Sequence, residues 1–131
     1  MPLKLTLRPR ERFVLNGSVL TNGDRRSDLI VENQVSLLRE RDVLKPDEAD
    51  TPMKRIYFTI MMMYMDGGLE GDYYDQFSEL MTDFMCAVTT KEVVQKCHRI
   101  LDDVHEQRFY TAMMMSKSLL PFEKERLEYV Q

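Results

Sequence analysis

The spacing of the apolar residues changes once along the chain, and this change constrains the fold more than any other feature. Near the N-terminus, Leu3, Leu5 and Leu7 alternate with polar residues, which is the two-residue period of a β-strand with one buried face. After about residue 52, apolar residues recur every three or four positions, the period of an α-helix. The sequence therefore predicts an α+β protein in which strands come first and helices follow.

The β-rich unit is predicted over residues 1–45. Phe13 and Leu15 continue the alternation, and Asn16-Gly17 and Asn22-Gly23 are residue pairs that tight hairpin turns favour. Apolar runs at 29–31 and 35–38 complete about five short strands. We expect a small antiparallel meander or barrel-like sheet. If its first and last strands pair, as in many small meanders, their polar faces form one rim.

The helical unit is predicted over residues 46–131, after a polar stretch at 45–51. Thr51-Pro52 has the N-cap and first-turn proline of a helix start. Apolar residues then occupy both sides of the segment 53–65, which indicates a central helix buried nearly all round. A buried strand over 56–63 is the competing interpretation, because short apolar runs are ambiguous.

About three further helices follow the break at Asp66-Gly67-Gly68, so we expect a C-terminal bundle of about four. Thr89 and Glu92 form a capping-box pair that would open the third helix. The fourth runs from about Phe109 to Leu120 and is interrupted or restarted at Pro121.

Charge is distributed unevenly between the two parts. The whole chain carries a net charge of −4, but residues 1–55 hold 11 Lys/Arg against 9 Asp/Glu, and residues 56–131 hold 7 against 13. Residues 1–55 therefore carry a net charge of +2 and residues 56–131 a net charge of −6. Such asymmetry indicates two surfaces with different partners.

Several classes of protein are disfavoured by the sequence. The N-terminus lacks the continuous apolar core of a signal peptide, and no apolar run approaches the length of a membrane span. Cys86 and Cys97 are too few for a disulfide framework, which favours a cytoplasmic protein with reduced thiols. No catalytic or phosphate-loop motif occurs. We therefore expect a protein that is not an enzyme and that uses no cofactor and no metal.

Basic side chains on the first and last predicted strands are candidates for binding RNA. They project away from the leucine face, and the planar guanidinium group binds phosphate and stacks on bases. The alternative is a solvated sheet face that interleaved acidic residues partly neutralise. The residues predicted to contact RNA are Lys4, Thr6, Arg8, Arg10, Arg12, Arg39 and Arg41.

Methionines in the helical unit are candidates for binding a protein partner or a second copy of the chain. Seven of the 11 methionines fall in two short runs, and surfaces rich in this flexible residue adapt to varied apolar partners. Packing between helices is the alternative. The residues predicted to lie at an interface are Met61, Met62, Met63, Met65, Met113, Met114 and Met115.

Four segments of the sequence carry a resemblance to a known family: MPLKLTLRP, FVLNGSVLTNGDRR, LLRERDVLKPDEADTPMKRIYF and MMMYMD. Together they resemble the FlbT family of alphaproteobacterial flagellum biosynthesis regulators. The resemblance implies a post-transcriptional repressor that binds the 5′ untranslated region of flagellin mRNA and promotes its degradation. It also implies a role beside FlaF, a second small flagellar regulator. The alternative is a module that holds flagellin or FlaF and affects mRNA indirectly.

The segment LKLTLRPRERFVLNGSV is also similar in layout to the start of carbon storage regulator proteins, which are small RNA-binding β dimers. In those proteins the first and last strands hold RNA. By position, Leu5, Thr6 and Arg8 match the first strand, and Arg39 matches the last. This likeness concerns layout only.

Overall fold

The computed structural model describes residues 3–66 and 68–130 and divides the chain into two compact units, Met1–Val43 and Leu44–Gln131. All five strands lie in the first unit and all five described α-helices lie in the second. The predicted α+β class, with strands followed by helices, is confirmed.

The β unit contains two antiparallel sheets. One pairs β1 with β4, and the other has the strand order β3-β2-β5. Leu5, Leu7 and Phe13 form the core that the two sheets share, with Leu15, Leu29 and Leu37 packed against it. The strands are β1 (Leu3–Leu7), β2 (Arg12–Leu15), β3 (Ser18–Thr21), β4 (Ser27–Val31) and β5 (Leu37–Arg39).

The first predicted hairpin turn is confirmed. Asn16 and Gly17 connect β2 to β3 with φ angles of 50° and 84°. Glycine and asparagine adopt this left-handed conformation at low cost, and it matches the twist of the two strands. Asn16 also accepts a hydrogen bond through Oδ1 from the Ser36 N–H at 2.9 Å, which ties the turn to the segment before β5.

The second predicted hairpin turn, at Asn22-Gly23, is wrong. β3 and β4 do not pair, because β4 pairs with β1 in the other sheet. The chain instead continues alongside the residues before β2. The Asn22 N–H donates to the Glu11 carbonyl at 2.8 Å, and the Arg10 N–H donates to the Gly23 carbonyl at 2.9 Å. The segment therefore links the two sheets.

Pairing between the first and last strands, which would have joined their polar faces, is not found either. β1 pairs with β4 in the register Leu3↔Val31 to Leu7↔Ser27, whereas β5 pairs with β2. Leu5 and Leu7 of β1 and Leu29 of β4 thereby face the same core as Phe13 of β2, whereas Leu3 is exposed. Burying these side chains decides which strands pair, and alternation alone does not specify it.

The helical unit is built around α1, which packs against α2 and α4, while α3 packs against α4. α1 has buried residues on much of its circumference, so the central buried helix is confirmed and the competing strand is wrong. Thr51 is its N-cap and accepts the Lys54 N–H at 3.3 Å. The helices are α1 (Pro52–Met65), α2 (Asp72–Ala87), α3 (Lys91–His105), α4 (Phe109–Ser118) and α5 (Leu120–Val130).

The predicted capping box of Thr89 and Glu92 is wrong. α3 has Thr90 as its N-cap, without a side-chain capping bond. This shift of one residue puts Val93 at the third helical position, where a capping box needs Glu or Gln. The predicted interruption near Pro121 is found, since α4 ends at Ser118 and α5 begins at Leu120. None of the described helices has the length and hydropathy of a membrane span.

The two cysteines, both free thiols, differ in accessibility. Cys97 is fully buried and burial raises the pKa of its thiol, whereas Cys86 is exposed.

Because the thiolate is the reactive form, we expect alkylation by iodoacetamide to modify Cys86 quickly. Cys97 should react at least ~100-fold more slowly, through opening of the fold. Mass spectrometry of the time course measures both rates; Cys86→Ser should remove the fast phase, and equal rates would contradict the burial.

Candidate nucleic-acid interface

Asn22 organises a set of exposed arginines in the β unit. Its side-chain Nδ2 donates to the carbonyl of Arg8 at 2.7 Å and to that of Arg25 at 3.0 Å, and it lies 3.4 Å from the Leu7 carbonyl. One amide therefore holds the end of β1 against the β3–β4 connection. The arginines that these contacts bring together are named here the arginine cluster: Arg8, Arg10, Arg12, Arg25 and Arg26.

Three members of the cluster are exposed and have no ion-pair partner within the described residues: Arg12, Arg25 and Arg26. Arg12 lies at the start of β2 opposite Thr21. The other two follow Asn22-Gly23, where the Arg25 carbonyl accepts from both the Asn22 side chain and the Ser27 hydroxyl. The backbone that carries them is thus fixed and their side chains are exposed, although Arg26 also attracts Asp28 and helps to lower the pKa of that carboxyl group.

Arg8 and Arg10 extend the cluster but each contacts a carboxylate. Arg10 Nη2 lies 2.8 Å from Asp24 Oδ1, and Arg8 Nε lies 3.7 Å from Glu11 Oε1. Both arginine side chains are largely exposed, at 78% and 84%. The Arg10–Asp24 pair is exposed on both sides and contributes little, so an anionic ligand can compete for Arg10. Arg8 shares the buried Glu11 carboxylate with Arg39, which lies closer to it.

Arg39 has a structural partner that the sequence does not reveal. Its Nε and Nη2 donate to the two carboxylate oxygens of buried Glu11 at 3.0 and 3.2 Å, and Nη2 also donates to the Thr6 carbonyl at 2.6 Å. The Arg8 N–H donates to Glu11 as well, at 2.9 Å. That backbone hydrogen bond, followed by the contacts with Arg39, holds the pKa of Glu11 below its usual value although burial opposes the shift. Arg39 thus joins β5 to β1.

The remaining predicted contacts lie on other parts of the unit. Lys4 Nζ is 3.6 Å from Asp28 Oδ2, and the Thr6 hydroxyl donates to Asp28 Oδ1 at 2.9 Å. The Thr6 hydrogen bond is the main cause that lowers the pKa of Asp28. A carboxylate therefore sits between the two predicted contacts on that face. Arg41 is exposed on the short 3₁₀ turn after β5.

All seven methionines predicted to bind a partner are buried or half-buried in the helical unit. Met61, Met63 and Met113 are buried. The other four are half-buried: Met62, Met65, Met114 and Met115. Packing between helices thus accounts for three of the seven, and the half-buried four stay a predicted interface.

Arg25 and Arg26 are the members of the cluster that sequence reasoning missed. Their signal was present as two adjacent arginines directly after Asn22-Gly23. The hairpin turn predicted at Asn22-Gly23 gave no reason to expect these two arginines near Arg8 or Arg12. The backbone hydrogen bonds of Arg10 and Asn22 and the side-chain contacts of Asn22 show that the segments meet.

The cluster can bind phosphate. Guanidinium groups form paired hydrogen bonds with phosphate oxygens, and several on a fixed backbone match a phosphodiester chain better than a single phosphate. Phe13, the aromatic residue of the adjacent strand, is buried, so stacking on bases would rely on arginine. The arrangement favours contact with the nucleic-acid backbone.

Fold and surface together define a small α+β protein with a fixed arginine cluster on its β unit and no catalytic constellation apparent in the described residues. The chain belongs to the FlbT family: the family model described as "Flagellar protein FlbT" matches residues 3–127. The resemblance found in the sequence is confirmed.

Curated relatives cover almost the whole chain. The chain is 45% identical over 130 residues to "Flagellum biosynthesis repressor protein FlbT" of Caulobacter vibrioides, covering 99% of the chain and 92% of that protein. It is 31% identical over 128 residues to "Probable flagellum biosynthesis repressor protein FlbT" of Rhodopseudomonas palustris, covering 97% and 98%. No solved structure matches the chain.

Proposed function

We propose that the chain represses flagellum biosynthesis by binding the 5′ untranslated region of flagellin mRNA and promoting degradation of that message. The observation that carries this proposal is the arginine cluster, with three guanidinium groups that have no ion-pair partner in the described part of the β unit. The names of the relatives as flagellum biosynthesis repressors support the biological setting.

Binding would depend mainly on charge. Each phosphate that an arginine neutralises releases a counterion, so affinity falls as salt rises. The net charge of the whole chain is −4, which makes a local cluster necessary for attraction to RNA. The chain supplies binding only; nucleases of the cell would cleave the message once the protein has changed its translation or structure.

Substituting Arg12, Arg25 and Arg26 together with alanine tests the proposal. We expect the affinity for the leader RNA to fall at least ~10-fold at moderate salt, because three phosphate contacts are lost. The slope of log K against log salt should decrease by about 2, at ~0.7 per contact for single-stranded RNA. Fluorescence anisotropy with labelled flagellin leader RNA over a salt series measures both quantities.

A control with the same change in charge is available in the helical unit. Lys91, Arg99 and Lys124 are exposed and form no ion pair within the described residues. Their triple alanine variant should bind the leader RNA like the unsubstituted protein. Equal losses in both triple variants would mean that only net charge matters and would overturn the assignment of the site.

The second candidate function, in which the helical unit holds FlaF or flagellin, keeps a narrower basis. The four half-buried methionines of α1 and α4 carry it: Met62, Met65, Met114 and Met115. It is compatible with RNA binding because the two functions would use different units.

A further inference from the structure

A cleft of about 450 Å³ lies between α1, α2 and the 3₁₀ turn Pro46–Glu48 of the helical unit. Its floor contains half-buried Phe58 and Leu80 and buried Thr59. The Thr59 hydroxyl donates to the Ile56 carbonyl at 2.7 Å, so it is already satisfied. The cleft therefore presents an apolar floor large enough for one or two apolar side chains.

The rim on the α2 side is acidic. Glu79 and Asp83 line the cleft one helical turn apart, and Asp72 and Asp75 continue the same face toward the start of α2. All four side chains are exposed, and none forms an ion pair within the described residues. The four carboxylates are named here the acidic stripe, which extends over about 17 Å.

Stability of α2 does not explain the acidic stripe as a whole. Asp72 and Asp75 lie in the first turn, where carboxylates stabilise a helix. Asp83 is near the C-terminal end, where a carboxylate is unfavourable, and the last turn contains no basic residue. Glu79 and Asp83 also repel each other at this spacing. Glu79 and Asp83, the half of the acidic stripe beside the cleft, therefore destabilise α2 unless a cation pairs with them.

We propose that the cleft and the acidic stripe bind a basic amphipathic helix of a partner protein. An apolar side chain of that helix enters the cleft and contacts Phe58 and Leu80. Lysine or arginine residues one helical turn to either side pair with the acidic stripe. Charge complementarity decides the class of partner, because a stripe of carboxylates repels nucleic acid and anionic ligands.

Arg55 on the opposite rim limits the orientation of the partner. It lies on α1, and its Nε is 3.4 Å from the Ala49 carbonyl. The Arg55 guanidinium repels cations at one rim, and two carboxylates attract them at the other. A bound helix should therefore carry its basic residues only on the side that faces α2. This surface is separate from the arginine cluster, so the inference does not depend on RNA binding.

A designed peptide tests this inference with the full-length protein. The probe is a fluorescein-labelled, amidated peptide on an alanine background, with one leucine and a lysine one helical turn to either side. In low-salt buffer we expect saturable binding by anisotropy. Changes in amide chemical shifts should be confined to the residues around Phe58, Glu79 and Asp83.

Matched variants separate the proposed site from general charge attraction. Glu79→Lys with Asp83→Lys should weaken binding about tenfold, through the loss of two exposed ion pairs. Asp102→Lys with Glu106→Lys changes the same charge at two exposed positions with the same spacing, one in the last turn of α3 and one at its C-cap, and should have much less effect. Exchanging the peptide leucine for alanine should also weaken binding about tenfold.

Any of three results with the peptide would overturn the proposal. They are the absence of saturable binding, equal losses in the two double variants, or indifference to the peptide leucine. Self-association is examined by light scattering of the protein alone; a dimer that Glu79→Lys with Asp83→Lys dissociates would assign the cleft to a second copy instead and would also overturn it.

Discussion

Replacing Glu11 with alanine is expected to destabilise the β unit by about 2–3 kcal/mol, because hydrogen bonds to a buried charge are lost together. The Glu11 carboxylate accepts from the Arg8 N–H and from two nitrogens of Arg39. Its removal leaves Arg39, whose side chain is only 29% exposed, without a carboxylate. A unit of this size has about 2–6 kcal/mol of stability to lose, so a substantial unfolded fraction should appear.

The measurement must report on the β unit specifically. All six tyrosines lie beyond residue 56 and the chain has no tryptophan, so ultraviolet signals follow the helical unit. Hydrogen–deuterium exchange read by mass spectrometry should show faster exchange over residues 3–43 in Glu11→Ala. Glu32→Ala is the matched control, since Glu32 is exposed and has no partner in the described structure. Unchanged exchange over residues 3–43 in Glu11→Ala would contradict the structural role.

The same carboxylate gives the β unit a defined dependence on pH. The pKa of Glu11 is lower in the folded state than the ordinary value of 4.5. Its contribution to stability is therefore fully present above that ordinary value and is lost as the pH falls through the lower folded-state pKa. Glu11→Gln should reduce this loss in acid.

The order of secondary structure was predictable because local periodicity and end signals determine it. Asn16-Gly17 has the left-handed φ angles of the hairpin that its residues favour. Thr51 supplies the first-turn hydrogen bond that its position predicts. Both are local features, and each is formed by residues close together in the sequence.

Strand pairing and the roles of the charged residues were not predictable, because they depend on contacts between distant segments. In the sequence Glu11 lies among arginines, which predicts a solvated carboxylate that partly neutralises them. In the structure it is buried and accepts a hydrogen bond from Arg39, 28 residues away. Asn22 is typical of a turn, yet its side chain donates to the carbonyls of Leu7, the last residue of β1, and of Arg8, which follows it. Periodicity shows which face of each strand is apolar but not which strand lies beside it.

The contacts between distant segments also change which arginines are the best candidates for binding RNA. Arg39 matched the RNA-binding strand of a similar family in layout, but its hydrogen bonds support the fold. Alanine at position 39 would lower stability and RNA binding together and could not separate the two. Arg25 and Arg26 form no side-chain hydrogen bond or ion pair within the described residues, although Arg26 attracts Asp28, and they are the informative positions.

Replacing Glu123 with alanine is the corresponding experiment in the helical unit. Glu123 of α5 is buried, and its carboxylate accepts from the Thr51 hydroxyl and from the Met53 N–H, the latter at 2.7 Å. Pro52 has no N–H, and Thr51 Oγ1 accepts from Lys54. Glu123 thus supplies the acceptor that the first turn of α1 otherwise lacks, and it attaches α5 to the central helix.

We expect Glu123→Ala to destabilise the helical unit by about 2–3 kcal/mol, because the buried Met53 N–H loses its acceptor and the half-buried Thr51 hydroxyl loses its partner. For a unit of this size the melting temperature should fall by ~10–20 °C. Circular dichroism at 222 nm follows the transition, with Glu125→Ala, an exposed carboxylate on the same helix, as control. Glu123→Gln should lose less, because an amide still accepts from Met53. If all three variants melt together, α5 is not held by this carboxylate, and the start of α1 must be satisfied by water.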